Sequence, residues 1–167
     1  MRRVSRGRDG WTRYAAPLGA EGGGEALEVP KAPRRLRVVL AKSGLDGHVN
    51  AVKLLAAACS QAGMEVVYTG LKQTPEAIVA TALQEDADLV GISSLSGSHL
   101  HIASEVMRLL REKGAADLPV ILGGIVPEAD RAPLEALGLK AVFTPADARV
   151  GEIVQRIIDL AVAARPG

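Results

Sequence analysis

The residues best suited to chemistry lie in one short segment, 42–51, which follows an apolar run. It contains Asp46 and, two positions later, His48, together with two glycines that allow the chain to turn sharply. A carboxylate at this spacing can accept a hydrogen bond from one imidazole nitrogen while the other nitrogen binds a metal, which raises ligand basicity. Lys42 could pair with Asp46 and restrain its charge. One histidine and one aspartate are too few for a protein-only metal site, so the metal would arrive inside a cofactor.

Two further segments carry small or polar residues where apolar runs end. Ser93 and Ser94 lie at the end of one run, and Gly123 and Gly124 follow the next run along the chain. Taken singly, these are ordinary features, since serines often cap helices and glycines often form turns. A lone Asp-x-His is likewise more often a surface pair than a ligand. Their significance depends on whether the fold brings the three segments together.

The apolar pattern indicates the elements that must position these segments. Short apolar runs without polar alternation are typical of strands buried on both faces of a parallel sheet. Five such runs occur, at residues 36–41, 64–69, 89–93, 119–122 and 141–144. Helical periodicity lies between them, most clearly at offsets 0, 3, 4, 7 and 8 from Val150. Residues 74–76, Thr-Pro-Glu, predict a helix start with a threonine cap, and glycines 63, 114 and 138 predict helix ends.

Strands that alternate with helices in this way predict an α/β fold, a flavodoxin-like doubly wound five-stranded parallel sheet with helices on both faces. Counted along the chain, the expected strand order is 2-1-3-4-5, with right-handed crossovers. Ligands of such folds bind outside the carboxyl ends of the strands, at the switch point between strands 1 and 3. The segments after Ala41 and Ser93 are therefore predicted to meet there.

The 167 residues amount to one domain preceded by an extension. Residues 1–33 lack apolar periodicity and contain a run of three glycines, so they are predicted to be a flexible N-terminal extension. A partner-docking arm stays open as the alternative, because Trp11 and Tyr14 are aromatic anchors of the kind found at interfaces. Residues 34–167 are predicted to form the folded domain.

The composition excludes several classes of protein. The formal net charge of +1 argues against a dedicated nucleic-acid or membrane-surface binder. No run approaches the roughly 18 to 20 apolar residues that are needed to cross a bilayer. A single cysteine, Cys59, excludes an intramolecular disulfide, and we expect it in the core. Because no apolar signal core follows the basic start of the chain, we expect a cytoplasmic protein.

Taken together, the three segments resemble the cobalamin-binding domain of the acyl-CoA mutases and related proteins. That family's motif is Asp-x-His-x-x-Gly, then Ser-x-Leu, then Gly-Gly, at successive strand ends. The matching parts here are Asp46-Gly47-His48, Ser93-Ser94-Leu95 and Gly123-Gly124. The resemblance covers about residues 35–163. The segments 68–71, 74–76 and 123–127 look like the small subunits of isobutyryl-CoA and 2-hydroxyisobutyryl-CoA mutases.

The resemblance implies a role for each matching residue. His48 would replace the cofactor's dimethylbenzimidazole as the axial ligand to cobalt, Asp46 would bond His48, and Lys42 would complete the relay. Ser93 and Leu95 would line the pocket for the nucleotide tail, and the two glycines would let the tail approach the backbone. The implied cofactor-binding set is Lys42, Asp46, Gly47, His48, Ser93, Leu95, Gly123 and Gly124.

The resemblance also implies a function. Residues 34–167 would be the cobalamin-binding domain of a small subunit in a two-chain, adenosylcobalamin-dependent acyl-CoA mutase, an isomerase that rearranges the acyl-CoA carbon skeleton by a radical 1,2-shift. The chain lacks the barrel of roughly 250 residues that such substrates require. It would therefore carry no catalytic residue of its own and would be inactive without a large acyl-CoA-binding subunit, with which a heterotetramer is expected.

The sequence departs from the family in one place. Val49-Asn50-Ala51 stand where the family has Asp-Arg-Gly. If the missing glycine gives clearance to the cofactor, one methyl group would weaken binding. If it only eases loop flexibility, Ala51 costs little and favours the following helix. A degenerate flavodoxin-like interaction module that has lost cobalamin is therefore the main competing hypothesis.

A corrinoid protein of another kind and a receiver domain have less support in the residues. A corrinoid carrier for methyl transfer, or a cobalamin sensor, would resemble proteins with a helical cap of roughly 80 residues, for which residues 1–33 are too short. A receiver domain needs an aspartate where Ser93 lies and a lysine where Thr144 and Pro145 lie.

Two histidines near the start of the helix after the third strand lie outside the motif. His99 and His101 are expected to be solvated or at an interface. For His99, a position facing the cofactor's edge stays open as the second possibility.

Overall fold

Seven strands form a single sheet in the part of the chain that the structure describes, residues 4–6, 12–14, 28–43, 50–70, 73–94, 97–144 and 149–166. In this computed structural model the strand order is β1-β2-β4-β3-β5-β6-β7. The strands are β1 Val4–Arg6, β2 Thr12–Tyr14, β3 Arg37–Ser43, β4 Glu65–Tyr68, β5 Leu89–Ser94, β6 Val120–Gly124 and β7 Ala141–Phe143.

The last five strands are parallel and confirm the predicted fold. Their spatial order, β4-β3-β5-β6-β7, is the order 2-1-3-4-5 when they are counted along the chain. The switch point lies between β3 and β5, where residues 38–43 pair in register with residues 89–94. The carboxyl ends of these two strands, Ser43 and Ser94, lie side by side, as the sequence predicted.

Five helices cover the two faces of the sheet. They are α1 Asn50–Gln61, α2 Pro75–Gln84, α3 His99–Glu112, α4 Glu128–Ala136 and α5 Val150–Ala164. The start of α2 follows the predicted signal, because the Thr74 side chain accepts a hydrogen bond from Ala77 N at 3.1 Å. Gly63, Gly114 and Gly138 follow helix ends with φ between 74° and 105°, a region that only glycine adopts readily.

Each face of the sheet has its own apolar core. Helices α1 and α5 pack on one face, around Leu40, Met64 and Ile157. Helices α2, α3 and α4 pack on the other face, around residues such as Ile78 and Leu122. Burial of each such side chain contributes roughly 1.5–3 kcal/mol relative to exposure.

Cys59 belongs to the core on the α1 and α5 face and is fully buried, as predicted. Burial raises the pKa of its thiol to about 12, so the thiol remains protonated and acts as a small apolar side chain. None of the helices in the described ranges is long and apolar enough to cross a membrane.

Two short strands precede the parallel sheet, and the sequence pattern had not predicted them. β1 and β2 pair antiparallel, and β2 continues the sheet beyond β4. Arg13 in β2 makes two hydrogen bonds to the Glu85 carboxylate, at 2.8 and 2.9 Å, which attach this segment to the end of α2. Nearer the domain, Ala32 N donates to Ala62 O at 2.9 Å. The division at residue 33 and the role of the extension remain predictions.

Candidate functional site

A cavity of about 320 Å³ opens at the carboxyl ends of the parallel strands, on the face that α1 and α5 cover. This volume is at the lower end of the roughly 300–1,000 Å³ that is typical of small-molecule pockets. The lining is mainly apolar: Leu40, Ala51, Val52, Leu54, Leu55, Gly91, Ile92, Ser93, Ile121, Gly123, Gly124, Phe143, Thr144, Val150 and Ile153. Such a cavity suits a flat, largely apolar group whose polar parts remain at the mouth.

Glycines form part of the sheet wall of this cavity. A Cβ added to Gly123 would have only Phe143 O near it, at 4.0 Å, so the position could hold a side chain and instead leaves open volume. A Cβ added to Gly91 would lie 2.7 Å from Leu40 Cδ2 and would displace a side chain that itself lines the cavity. Gly124 has φ 151°, a positive value that favours glycine at the strand end. The wall is thus open at Gly123 and tightly packed at Gly91.

Three residues predicted for the site form one row across neighbouring strands. Lys42 in β3 pairs with Ser93 in β5, and Ser93 pairs with Gly123 in β6. Lys42 is fully buried, and its carbonyl accepts a hydrogen bond from Gln73 N at 3.1 Å. Ser93 is half-buried and lines the cavity. Because paired residues on parallel strands project to the same face, the fold brings these positions together.

The next row along the strands contains two buried hydroxyl groups. Ser43 pairs with Ser94, which in turn pairs with Gly124. The Ser43 hydroxyl donates to Ser93 O at 3.4 Å, a long bond, and the Ser94 hydroxyl is buried with no hydrogen-bond partner among the described residues. Since successive strand residues point to opposite faces, Ser94 points away from the cavity that Ser93 lines.

The remaining predicted positions lie outside the described residues. These are Asp46, Gly47, His48 and Leu95. The axial ligand, its hydrogen-bond partner and one wall residue of the predicted tail pocket therefore stay predictions. Of the predicted set, the structure brings together Lys42, Ser93, Gly123 and Gly124.

Sequence reasoning missed the helical side of the cavity. Ala51, Val52, Leu54 and Leu55 of α1 line it, as do Val150 and Ile153 of α5. The sequence marks them only as apolar residues in the first turns of two helices; in the structure Ala51 and Leu54 are exposed, whereas the other four are buried or partly buried. Leu54 is 49% exposed, which an ordinary core residue would not be.

The prediction of a solvated side chain is wrong for His99, which is 3% exposed. It is the first residue of α3, and its Nε2 lies 2.7 Å from Asp130 Oδ2 in α4. Its burial follows from the helix repeat, since the buried positions of α3 are 99, 102, 103, 106, 107 and 110. That repeat was readable in the sequence. His101, two positions on, is exposed as expected.

Comparison with known proteins places these features in a family context. Residues 36–154 match the family described as B12 binding domain. The chain is 48% identical over 121 residues to the 2-hydroxyisobutanoyl-CoA mutase small subunit of Aquincola tertiaricarbonis, a match that covers 71% of this chain and 89% of that protein.

Two further comparisons show how the domain occurs elsewhere. The ethylmalonyl-CoA mutase of Cereibacter sphaeroides is 44% identical over 127 residues, which cover 76% of this chain and 19% of that protein. A crystal structure of a cobalamin-binding protein from Desulfitobacterium hafniense DCB-2 superposes with a TM-score of 0.65 at 20% identity, over 76% of this chain and 60% of that one. The latter likeness shows the fold alone.

Proposed function

Because the chain belongs to the B12-binding domain family, we propose that it is the cobalamin-binding small subunit of a two-chain, adenosylcobalamin-dependent acyl-CoA mutase, an isomerase. The observation that carries the proposal is the apolar cavity at the carboxyl ends of β3, β5, β6 and β7, which lies within the region that matches the family. A flavodoxin-like fold could serve many functions, so the cavity and the residues around it bear the argument.

The cavity fits the nucleotide tail of cobalamin. Its size and apolar lining suit the flat benzimidazole ring. Because Gly123 has no Cβ, the volume beside it stays open for the ligand. Ser93 supplies a hydroxyl beside the ring, and Gly124 allows the polar part of the tail to lie close to the backbone. Leu95 is proposed to complete the wall.

We assign His48 as the residue that would hold the cobalt of bound cobalamin. Asp46 orients its imidazole by accepting a hydrogen bond from the ring nitrogen that does not bind the metal, and Gly47 gives the turn between them its freedom. Lys42 holds the position and charge of Asp46 from the end of β3. The full burial of Lys42 supports this assignment, since it keeps the ammonium away from bulk water at the end of β3, four positions before Asp46 in the sequence.

When bound, adenosylcobalamin would supply the radical chemistry of the rearrangement. This chain's residues bind the cofactor, orient its lower face and keep water from the tail. The matching region makes up only 19% of the ethylmalonyl-CoA mutase from Cereibacter sphaeroides, and a small-subunit relative is named for a different acyl-CoA. We therefore propose that a separate large subunit binds the acyl-CoA and selects the substrate, and that the two chains form a heterotetramer.

The test is a visible-absorption titration of the purified chain with hydroxocobalamin and with adenosylcobalamin. We expect saturable binding and the spectral change that accompanies replacement of benzimidazole by a protein imidazole. His48→Ala should lose that spectral change, since it removes the proposed ligand. His101→Ala is the matched control, because His101 is exposed on α3, on the sheet face opposite the cavity.

Two results would contradict the proposal. A folded chain that binds neither cobalamin would favour the degenerate interaction module, for which Ala51 in the cavity wall is the specific observation. An unchanged spectrum in His48→Ala would remove the assigned ligand. If both cobalamins bind as expected, the native mass of the complex with its large subunit then tests the heterotetramer.

A further inference from the structure

We propose that His99 and Asp130 form a positioning pair that keeps the mouth of the tail cavity open. The inference rests on the proposed function and adds two residues to it, neither of which lines the cavity. The His99 imidazole is buried, and its Nε2 lies 2.7 Å from Asp130 Oδ2. The two residues are 31 positions apart and join the first turns of α3 and α4.

The place of the pair follows from the path of the chain. His99 comes six residues after Ser93, and Asp130 comes six residues after Gly124; Ser93 and Gly124 both line the cavity. The helices that come next along the chain, α3 and α4, pack on the face of the sheet opposite the cavity. The pair therefore ties together two crossings that begin at the cavity.

The chemistry of the two groups determines which of them donates the hydrogen bond. A carboxylate can only accept a hydrogen bond, so His99 Nε2 carries the hydrogen and donates it to Asp130. Asp130 lies in the first turn of α4, where the partial positive charge of the helix N-terminus stabilises its carboxylate. The Nδ1 atom of His99 is buried without a hydrogen-bond partner among the described residues. Asp130 thus provides the hydrogen bond that the structure records for this buried ring.

The pair matters for the cavity because the hydrogen bonds between β5 and β6 fix the strands but not the chain that follows them. Among the described residues, Ser93 pairs with Gly123 and Ser94 with Gly124 at the carboxyl ends of β5 and β6. Beyond that point the second crossing begins with Ile125, which is 67% exposed. Without the His99–Asp130 contact, an exposed apolar side chain such as Ile125 gains by folding back over the apolar cavity. Cobalamin would then have to displace it.

The experiment measures hydroxocobalamin affinity of the full chain by visible-absorption titration. The variants are His99→Ala, Asp130→Ala and the double variant, at a temperature where circular dichroism shows each to be folded. We expect each single variant to bind about tenfold more weakly and the double variant no more weakly than either single one, because all three remove the same contact. Asp130→Asn retains an acceptor oxygen and should bind within about threefold of the unaltered chain.

If His99 and Asp130 only stabilised the fold, their folded variants would bind hydroxocobalamin as tightly as the unaltered chain does. Asp86→Ala removes an ion pair with Arg165 at the other end of the sheet and serves as the control, with affinity unchanged. The inference is overturned if the single variants bind like the unaltered chain, if their losses add in the double variant, or if Asp130→Asn loses as much affinity as Asp130→Ala. Failure of the unaltered chain to bind would instead overturn the proposed function, and this inference with it.

Discussion

The two ends of the parallel sheet are built on opposite principles. The carboxyl end carries an apolar cavity of about 320 Å³ and, in its wall, a glycine without a nearby side chain. The amino end instead has an open polar hollow, lined by charged side chains that form ion pairs with one another. Cofactor binding requires an open cavity at the carboxyl end, whereas the ion pairs at the amino end can stabilise the fold without blocking that cavity.

Asp88 is the centre of the amino end. It precedes β5, its side chain is 8% exposed, and it accepts a hydrogen bond from Arg37 N at 2.8 Å. Arg34 and Arg165 approach the same carboxylate at 3.6 and 3.7 Å. Arg165 also donates to Asp86 at 2.9 Å, and this hydrogen bond raises the pKa of its guanidinium. One carboxylate therefore connects the start of β3, the start of β5 and the end of α5.

The difference between the two ends predicts which property, cofactor affinity or stability, a substitution at each end will change. In open α/β sheets, ligands bind at the carboxyl ends of the strands, so a cavity is expected to stay open there. At the amino end no ligand is expected; the charged side chains there form ion pairs with one another, and the Nε atoms of Arg34 and Arg37 are buried without a hydrogen-bond partner among the described residues. Substitutions at the carboxyl end should therefore change cofactor affinity with little change in stability, and substitutions at the amino end should do the reverse.

The largest effect is expected for Gly123→Val. Its Cβ meets open space and valine suits a strand, so we expect the free energy of unfolding to change by less than about 1 kcal/mol. The side chain would fill volume assigned to the tail, which should weaken hydroxocobalamin binding by about 100-fold. Absorption titration measures the affinity and urea unfolding measures the stability. A folded variant with unaltered affinity would show that the tail lies elsewhere.

Asp88→Ala should show the opposite pattern. It leaves Arg37 N without its acceptor and two arginines without a shared counter-charge, so the free energy of unfolding should fall by about 2 kcal/mol. Hydroxocobalamin affinity should remain within about twofold. Asp86→Asn is the matched control, because Asp86 is 78% exposed, its ion pair contributes less than about 1 kcal/mol, and asparagine tolerates the φ of 51° at this position. A large loss of affinity in folded Asp88→Ala would remove the contrast between the two ends.

Thr74→Ala tests whether affinity depends on every residue at the carboxyl end or only on those that line the cavity. Thr74 caps α2 there but does not line the cavity, so we expect a loss of about 1 kcal/mol of stability and no change in affinity. Thr74→Ser keeps the capping hydroxyl and should retain most of the stability. If Thr74→Ala weakened cobalamin binding in the folded state, the effect of this end on affinity would extend beyond the cavity wall.

The smallest effect is expected for Ala51→Gly, which restores the family's glycine. The Ala51 methyl borders the cavity, so its removal should tighten hydroxocobalamin binding by about threefold, while glycine in α1 costs up to about 1 kcal/mol of stability. Ala51→Val should shift the affinity in the opposite direction. Equal affinity of all three chains would mean that position 51 affects loop or helix stability and not clearance.

Much of the fold was readable in the sequence, because the relevant signals are local. Apolar runs of four to six residues predicted the five parallel strands to within two residues at each end. The Thr74 cap predicted the start of α2, and the strand order placed Ser93 and Gly123 at one edge of the sheet. The short strands β1 and β2 escaped prediction because three residues carry too little periodicity, and pairing with β4 supplies their stability.

The sequence by itself determined the class of fold, the edge of the sheet at which a ligand is expected and the residue types available there. Only the tertiary structure decided which groups meet. The pairing of His99 with Asp130, the convergence of three arginines on the Asp88 carboxylate and backbone, and the cavity between α1, α5 and the sheet all join segments that are far apart in sequence. Local periodicity determines which side of an element is buried, whereas its partner depends on how the helices pack across the sheet.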